Sequence, residues 1–115
     1  MKENSTNQFN KVGILNKCPV TFTLNKIGGR WKPLILWHLR NPERLRYNEL
    51  KKALPEISEK MLIQNLKELE KDAIIERIAR PVVPPFVEYG LTDKGRNITP
   101  ILNAMANWGL QNQTV

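Results

Sequence analysis

The sequence predicts an α+β domain, mostly helical with one β-hairpin, and three observations predict it. Apolar residues recur at helical spacing in five stretches, opened or closed by capping residues, proline or glycine. Two β-prone segments, Ile74 to Ala79 and Phe86 to Leu91, flank a loop centred on Pro84-Pro85. Between Arg46 and Thr92 the order is a short helix, a tight turn, a longer helix and then that hairpin. This order describes a winged helix-turn-helix, in which the second helix of the pair ordinarily enters the DNA major groove.

Each element has its own signal. The first helix begins near Pro19, a favoured first-turn residue, and Phe22, Leu24 and Ile27 supply its apolar contacts. Gly28-Gly29 ends it, because glycine enters the left-handed region at little cost. The second helix, about Lys32 to Leu39, carries Leu34, Ile35, Leu36 and Leu39 and is the expected buried centre. Asn41-Pro42 stops it, and Leu45 is placed to form a short strand beside the hairpin. The third helix, Tyr47 to Leu54, aligns Tyr47, Leu50 and Leu54 on one stripe. After the turn Pro55-Glu56-Ile57, the fourth starts at an N-capping Ser58, runs to about Asp72 and buries Leu62, Leu66 and Leu69. In the hairpin, Val87, Tyr89 and Leu91 point one way, Phe86 and Glu88 the other. Thr92 is expected to cap a single last helix bearing Ile98, Ile101, Leu102, Met105 and Trp108. The organisation is a polar tail over 1–17 and one domain over 18–112.

Composition narrows the function classes. The chain of 115 residues has 41% hydrophobic residues, enough for a single core. Its formal charge of +7 favours polyanionic partners. The charge is uneven: Lys26, Arg30, Lys32 and Arg40 lie in an acid-free stretch, whereas the fourth helix is nearly balanced. No apolar run reaches the roughly 18 residues of a membrane span, and the N-terminus lacks the apolar segment of a signal peptide. With a single cysteine there is no internal disulfide framework, and the expected location is the cytoplasm. His38 stands without a cysteine or carboxylate at metal spacing, and Gly28-Gly29 lacks the strand and spacing of a phosphate loop. No catalytic residue, metal or cofactor is therefore expected.

The candidate binding residues follow from helical geometry. At about 100° per residue, Lys60, Gln64, Lys67 and Lys71 cluster opposite Leu62, Leu66 and Leu69, with Ile63 at the edge. Gln64 suits adenine, lysine suits guanine acceptors or phosphate, and Ile63 suits a thymine methyl. Ser58 and Lys60 suit a phosphate at the helix N-terminus, where free N–H groups point outward. Arg80 opens the loop Arg80-Pro81-Val82-Val83-Pro84-Pro85, the expected wing, and Arg77 lies on the strand leading into it. Arg46, at the start of the helix pair, completes the expected contact set. Cys18 stands before Pro19 at a helix N-terminus beside Lys17, which favours a reactive thiolate. Without a second cysteine, its oxidation leads to a sulfenic acid, a mixed disulfide or a link to a second subunit. Free cysteines are more often small buried packing residues, which is the other reading of this position. The last helix has more apolar surface than a domain of this size needs. Phe22 with Ile98, Ile101, Leu102, Met105 and Trp108 is therefore the expected interface of a two-fold dimer. Such a dimer sets two recognition helices about 34 Å, one DNA turn, or a multiple of it apart.

Together these residues resemble the HxlR-type family of bacterial winged-helix transcriptional regulators. The resemblance is carried by Cys18-Pro19, Ile27-Gly28-Gly29-Arg30-Trp31, Arg46-Tyr47-Asn48-Glu49-Leu50 and Ile57-Ser58 with Met61-Leu62. It continues through Leu66-Lys67-Glu68-Leu69-Glu70, Pro84-Pro85, Val87-Glu88-Tyr89, Leu91-Thr92, Gly95 and Trp108-Gly109. It implies a homodimer joined through the first and last helices on inverted-repeat operators, as repressor or activator. It assigns DNA contacts to Ser58, Lys60, Gln64, Lys67 and Arg80. Some members use the cysteine before proline, here Cys18, to sense electrophiles or oxidants. Three positions depart from the family pattern: Ala73 replaces a glycine, Phe86 a basic residue and Ile63 a small polar one. The expected function is a sequence-specific regulator binding double-stranded DNA. The alternative is a winged-helix protein-interaction module without specific DNA binding. A small-molecule effector at the dimer interface is compatible with either, and no residue pattern identifies one.

Overall fold

A computed structural model describes residues 18–41 and 44–114, so the expected tail over 1–17 and the stop at Pro42 lie outside the described residues. Six helices and three strands follow in the order α1 (Pro19–Ile27), α2 (Trp31–Leu39), β1 (Arg44–Arg46), α3 (Tyr47–Ala53), α4 (Glu59–Lys71), β2 (Ile75–Arg80), β3 (Phe86–Leu91), α5 (Asp93–Arg96) and α6 (Thr99–Asn112). The strands form one antiparallel sheet in the order β1-β3-β2. Leu45 lies in the short strand expected beside the hairpin and pairs with Tyr89, and Ile78 faces Glu88 across the hairpin.

The core is built from α2, α4 and the inner face of the sheet. Ile35, Leu36 and Leu39 of α2, Leu50 of α3, and Leu62, Leu66 and Leu69 of α4 are buried together with Ile74, Ile75 and Leu91. Leu34 is partly exposed, so α2 is central without being buried all round. α1 ends on a glycine pair for two separate reasons. Gly29 takes φ +92°, and a Cβ at Gly28 would collide with the Leu24 carbonyl.

The α4 ends are closed by recognisable devices. Ser58 Oγ accepts from the Met61 N–H at 3.1 Å, and buried Ile57 and Leu62 bracket that cap. At the other end, Ala73 N–H bonds the Glu70 carbonyl and Ile74 N–H bonds the Leu69 carbonyl, both at 3.0 Å. This is a Schellman ending, which requires a left-handed residue at position 73. Ala73 supplies it with φ 59°, so the turn that glycine normally makes is kept at the cost of backbone strain. The Thr92 hydroxyl donates to the Ala73 carbonyl at 2.6 Å and accepts from the Gly95 N–H at 3.1 Å, tying the turn to α5.

Two expectations need correction. The helix capped by Thr92 is not continuous with the last one. It ends at Arg96, and α6 begins at Thr99, where Pro100 suits a first turn. Leu102 is not available for an interface: it is 4% exposed and belongs to the monomer core, against which Ile98 also packs. Helical rotation explains this, since α6 turns positions 98 and 102 inward while Ile101, Met105 and Trp108 stay exposed. No helix among the described residues is long and apolar enough to cross a membrane.

Candidate nucleic-acid interface

α3, the turn through Pro55 to Ser58, and α4 make the helix-turn-helix, and α4 presents its polar face outward. Ser58, Lys60, Ile63, Gln64 and Lys67 are all exposed: Lys60, Gln64 and Lys67 on the side away from the buried leucine stripe, Ile63 at its edge and Ser58 at the N-cap. Asn65 is the buried polar exception, which the leucine pattern did not reveal. Its Nδ2 donates to the Met61 carbonyl at 2.7 Å, so the amide is satisfied within the helix. Among the described residues, Lys60 and Lys67 have no carboxylate within ion-pair distance. Gln64 donates to Glu68 Oε2 at 3.2 Å.

The wing differs from the sequence expectation in its charge. Arg80 is the last residue of β2 rather than part of a free loop, and its Nε bonds Glu88 Oε1 at 2.7 Å. The register places Arg80 and Glu88 diagonally on the same face of adjacent strands, so the pair follows from alternation. Arg46 lies on that face too, with its guanidinium 3.7 Å from the Phe86 ring centroid. Phe86, standing where a basic residue was expected, thus serves as a platform for an arginine from β1. Arg77 is exposed on the opposite face, opposite Tyr89. At the loop tip Val83 is 99% exposed, with Val82 beside it, so the tip itself is apolar.

Cys18 is exposed at the N-cap of α1 and does not pack into the core. Its pKa lies below the ordinary thiol value, first because of the Thr21 hydroxyl and then because of the N–H groups of Thr21 and Val20. Those amides are the local form of the helix-terminus effect expected from the sequence, whereas the Thr21 hydroxyl had no signal there. Lys17 lies outside the described residues. Val20, Phe22 and Leu24 of α1 and Ile101, Met105, Trp108 and Leu110 of α6 are exposed apolar residues. Val20, Leu24 and Leu110 join those expected.

Helix pair, three-stranded sheet and outward polar face define a winged helix-turn-helix protein. The model of the HxlR-like helix-turn-helix family matches residues 26–115. MalR of Fusobacterium mortiferum, named provisionally as a regulatory protein, is 51% identical over 96 residues, covering 84% of this chain and 91% of the relative. YybR of Bacillus subtilis (strain 168), named as an HTH-type transcriptional regulator, is 44% identical over 98 residues, 85% of this chain and 78% of the relative. Among solved structures, the redox regulator HypR in its oxidized form is similar with a TM-score of 0.80 at 44% identity, over 85% of this chain and 100% of that one. The chain belongs to the HxlR-like helix-turn-helix family, as its motifs implied.

Proposed function

We propose that this protein is a DNA-binding transcriptional regulator that works in the cytoplasm as a homodimer on an inverted-repeat operator. The observation that carries this reading is the outward face of α4, where Lys60, Ile63, Gln64 and Lys67 lie exposed on a helix whose opposite side is core. A helix anchored in this way offers donors and an apolar contact to base edges, with little conformational freedom left to lose. Ser58, Arg46, Arg77 and Arg80 supply backbone contacts around it. The dimer uses the exposed apolar side chains of α1 and α6, chiefly Phe22, Ile101, Met105 and Trp108, which a monomer leaves in water.

Cys18 makes the regulator responsive to oxidants or electrophiles. Its exposure and favoured thiolate support that role, and the similar protein HypR is described as a redox regulator. Diamide takes two electrons and two protons from a pair of thiols. The product here is a disulfide between Cys18 and either a small thiol or the Cys18 of a second subunit.

The test is selection of binding sites from a random duplex library with reduced protein, repeated after diamide and again after thiol. An inverted repeat that is enriched, weakened by diamide and restored by thiol is expected. Enrichment indifferent to diamide would remove Cys18 from the mechanism. No enrichment above salt-sensitive bulk binding would favour a protein-interaction role instead.

A further inference from the structure

Gln64 is not a free side chain on the surface of α4. Glu68, one turn later, accepts from Gln64 Nε2 through Oε2, while its Oε1 lies 2.7 Å from Lys32 Nζ on α2. The Lys32 side chain is 12% exposed, so the carboxylate is anchored to the protein interior rather than to a solvated lysine. The bond to Lys32, the bond from Gln64 and the Lys32 charge hold the Glu68 carboxyl below its ordinary range. It therefore stays ionised at neutral pH. An ionised carboxylate offers acceptors only, so the amide nitrogen of Gln64, and not its oxygen, must face it. The remaining Oε1 and the second N–H are then left for a partner. Adenine presents an N6 donor beside an N7 acceptor in the major groove, the complement of that pair.

We propose that Glu68, anchored by Lys32, is a positioning residue that presets the Gln64 carboxamide to read adenine; the proposal rests on the DNA-binding role assigned to α4. Glu68 itself touches no base. It removes the choice between the two amide orientations, and part of the rotamer freedom, before DNA arrives.

The experiment titrates the selected operator, with each of the four bases at the pair read by Gln64, against wild type, Gln64→Ala, Glu68→Ala, Glu68→Gln and the Gln64→Ala/Glu68→Ala double variant. That pair is the one whose preference Gln64→Ala abolishes, and circular dichroism checks that each variant is folded. Glu68→Ala is expected to lower the adenine preference roughly 3- to 10-fold, the cost of ordering a freed side chain. In Glu68→Gln, Lys32 claims the single carbonyl and the new NH2 faces Gln64. The Gln64 amide must then turn its oxygen inward, and preference shifts toward guanine, which offers two acceptors. With Gln64 already alanine, Glu68→Ala should change nothing further at that pair. An unchanged base preference in both Glu68 variants would overturn the proposal, as would an equal loss of affinity on every sequence. A wild-type protein that selects no operator would overturn it together with the DNA-binding reading, whereas selection with indifferent Glu68 variants sinks the positioning role alone.

Discussion

A thiol at a helix N-cap gains from every donor aimed at its sulfur, and at Cys18 the Thr21 hydroxyl contributes most. Because the thiolate is the nucleophile, the lowered pKa moves reactivity toward lower pH. The rate of Cys18 alkylation by iodoacetamide should rise with pH around a midpoint below the ordinary value of about 8.5. Thr21→Val should return that midpoint upward, and an unmoved midpoint would take the hydroxyl out of the account. On α4, Gln64→Ala and Lys60→Ala should each weaken binding to the selected operator by about 1–3 kcal/mol where they meet bases. Measured on operator and random duplexes side by side, equal losses would instead make them phosphate contacts. Residues of this kind were legible in the sequence because helical rotation alone sorts Lys60, Gln64 and Lys67 from the leucines. Their partners were not: Glu68 reaches Lys32 across 36 positions, and no local pattern joins two residues that only the packing of α2 on α4 brings together.

At the scale of elements, the boundaries came from local chemistry and were legible to within a residue or so. Pro19, Ser58 and the hairpin alternation set them, and β1 followed from Leu45. The last helix reads as one piece because periodicity passes smoothly through Asn97 and Ile98, both of which keep right-handed helical dihedrals; the break is one of hydrogen bonding, since Pro100 has no N–H to bond back to Arg96. Leu102 was expected at the interface for a different reason, the excess of apolar residues on that helix, and rotation about the α6 axis turns it into the core instead. The wing shows how an element changes a residue's role. Glu88 sits among Arg46 and Arg80 on the outer sheet face and offsets part of the positive charge of the proposed DNA-contacting wing. Glu88→Gln should strengthen binding to duplexes of any sequence, whereas Arg80→Ala should flatten the salt dependence by about one ion. Titrations at several salt concentrations check both, and an unchanged slope in Arg80→Ala would place that arginine away from phosphate. At the junction of α4 and β2, Ala73→Gly should raise stability by about 1 kcal/mol in denaturant unfolding, because the left-handed turn is already in place. A loss of stability there would mean that the alanine methyl contributes packing that outweighs its strain.

At the scale of the whole molecule, α1 and α6 come from opposite ends of the described chain and both carry exposed apolar side chains, which the proposed dimer joins in one seam. Trp108→Glu combined with Met105→Glu should yield a monomer in sedimentation, and inverted-repeat binding should fall to that of a half-site. A dimer that persists would move the interface elsewhere. The proposed dimer would also make stability depend on concentration, with tolerance of further mutation shared between subunits. Here the Ala73 turn acquires an evolutionary meaning. Alanine and glycine codons differ by a single base, and this change relieves strain without touching the α4 surface or the seam. In a lineage burdened by destabilising changes, for instance while α4 is altered to recognise a new operator, the same substitution should arise repeatedly as a general suppressor. Position 73 is thus a store of unused robustness, open to whichever variant of this protein next needs it.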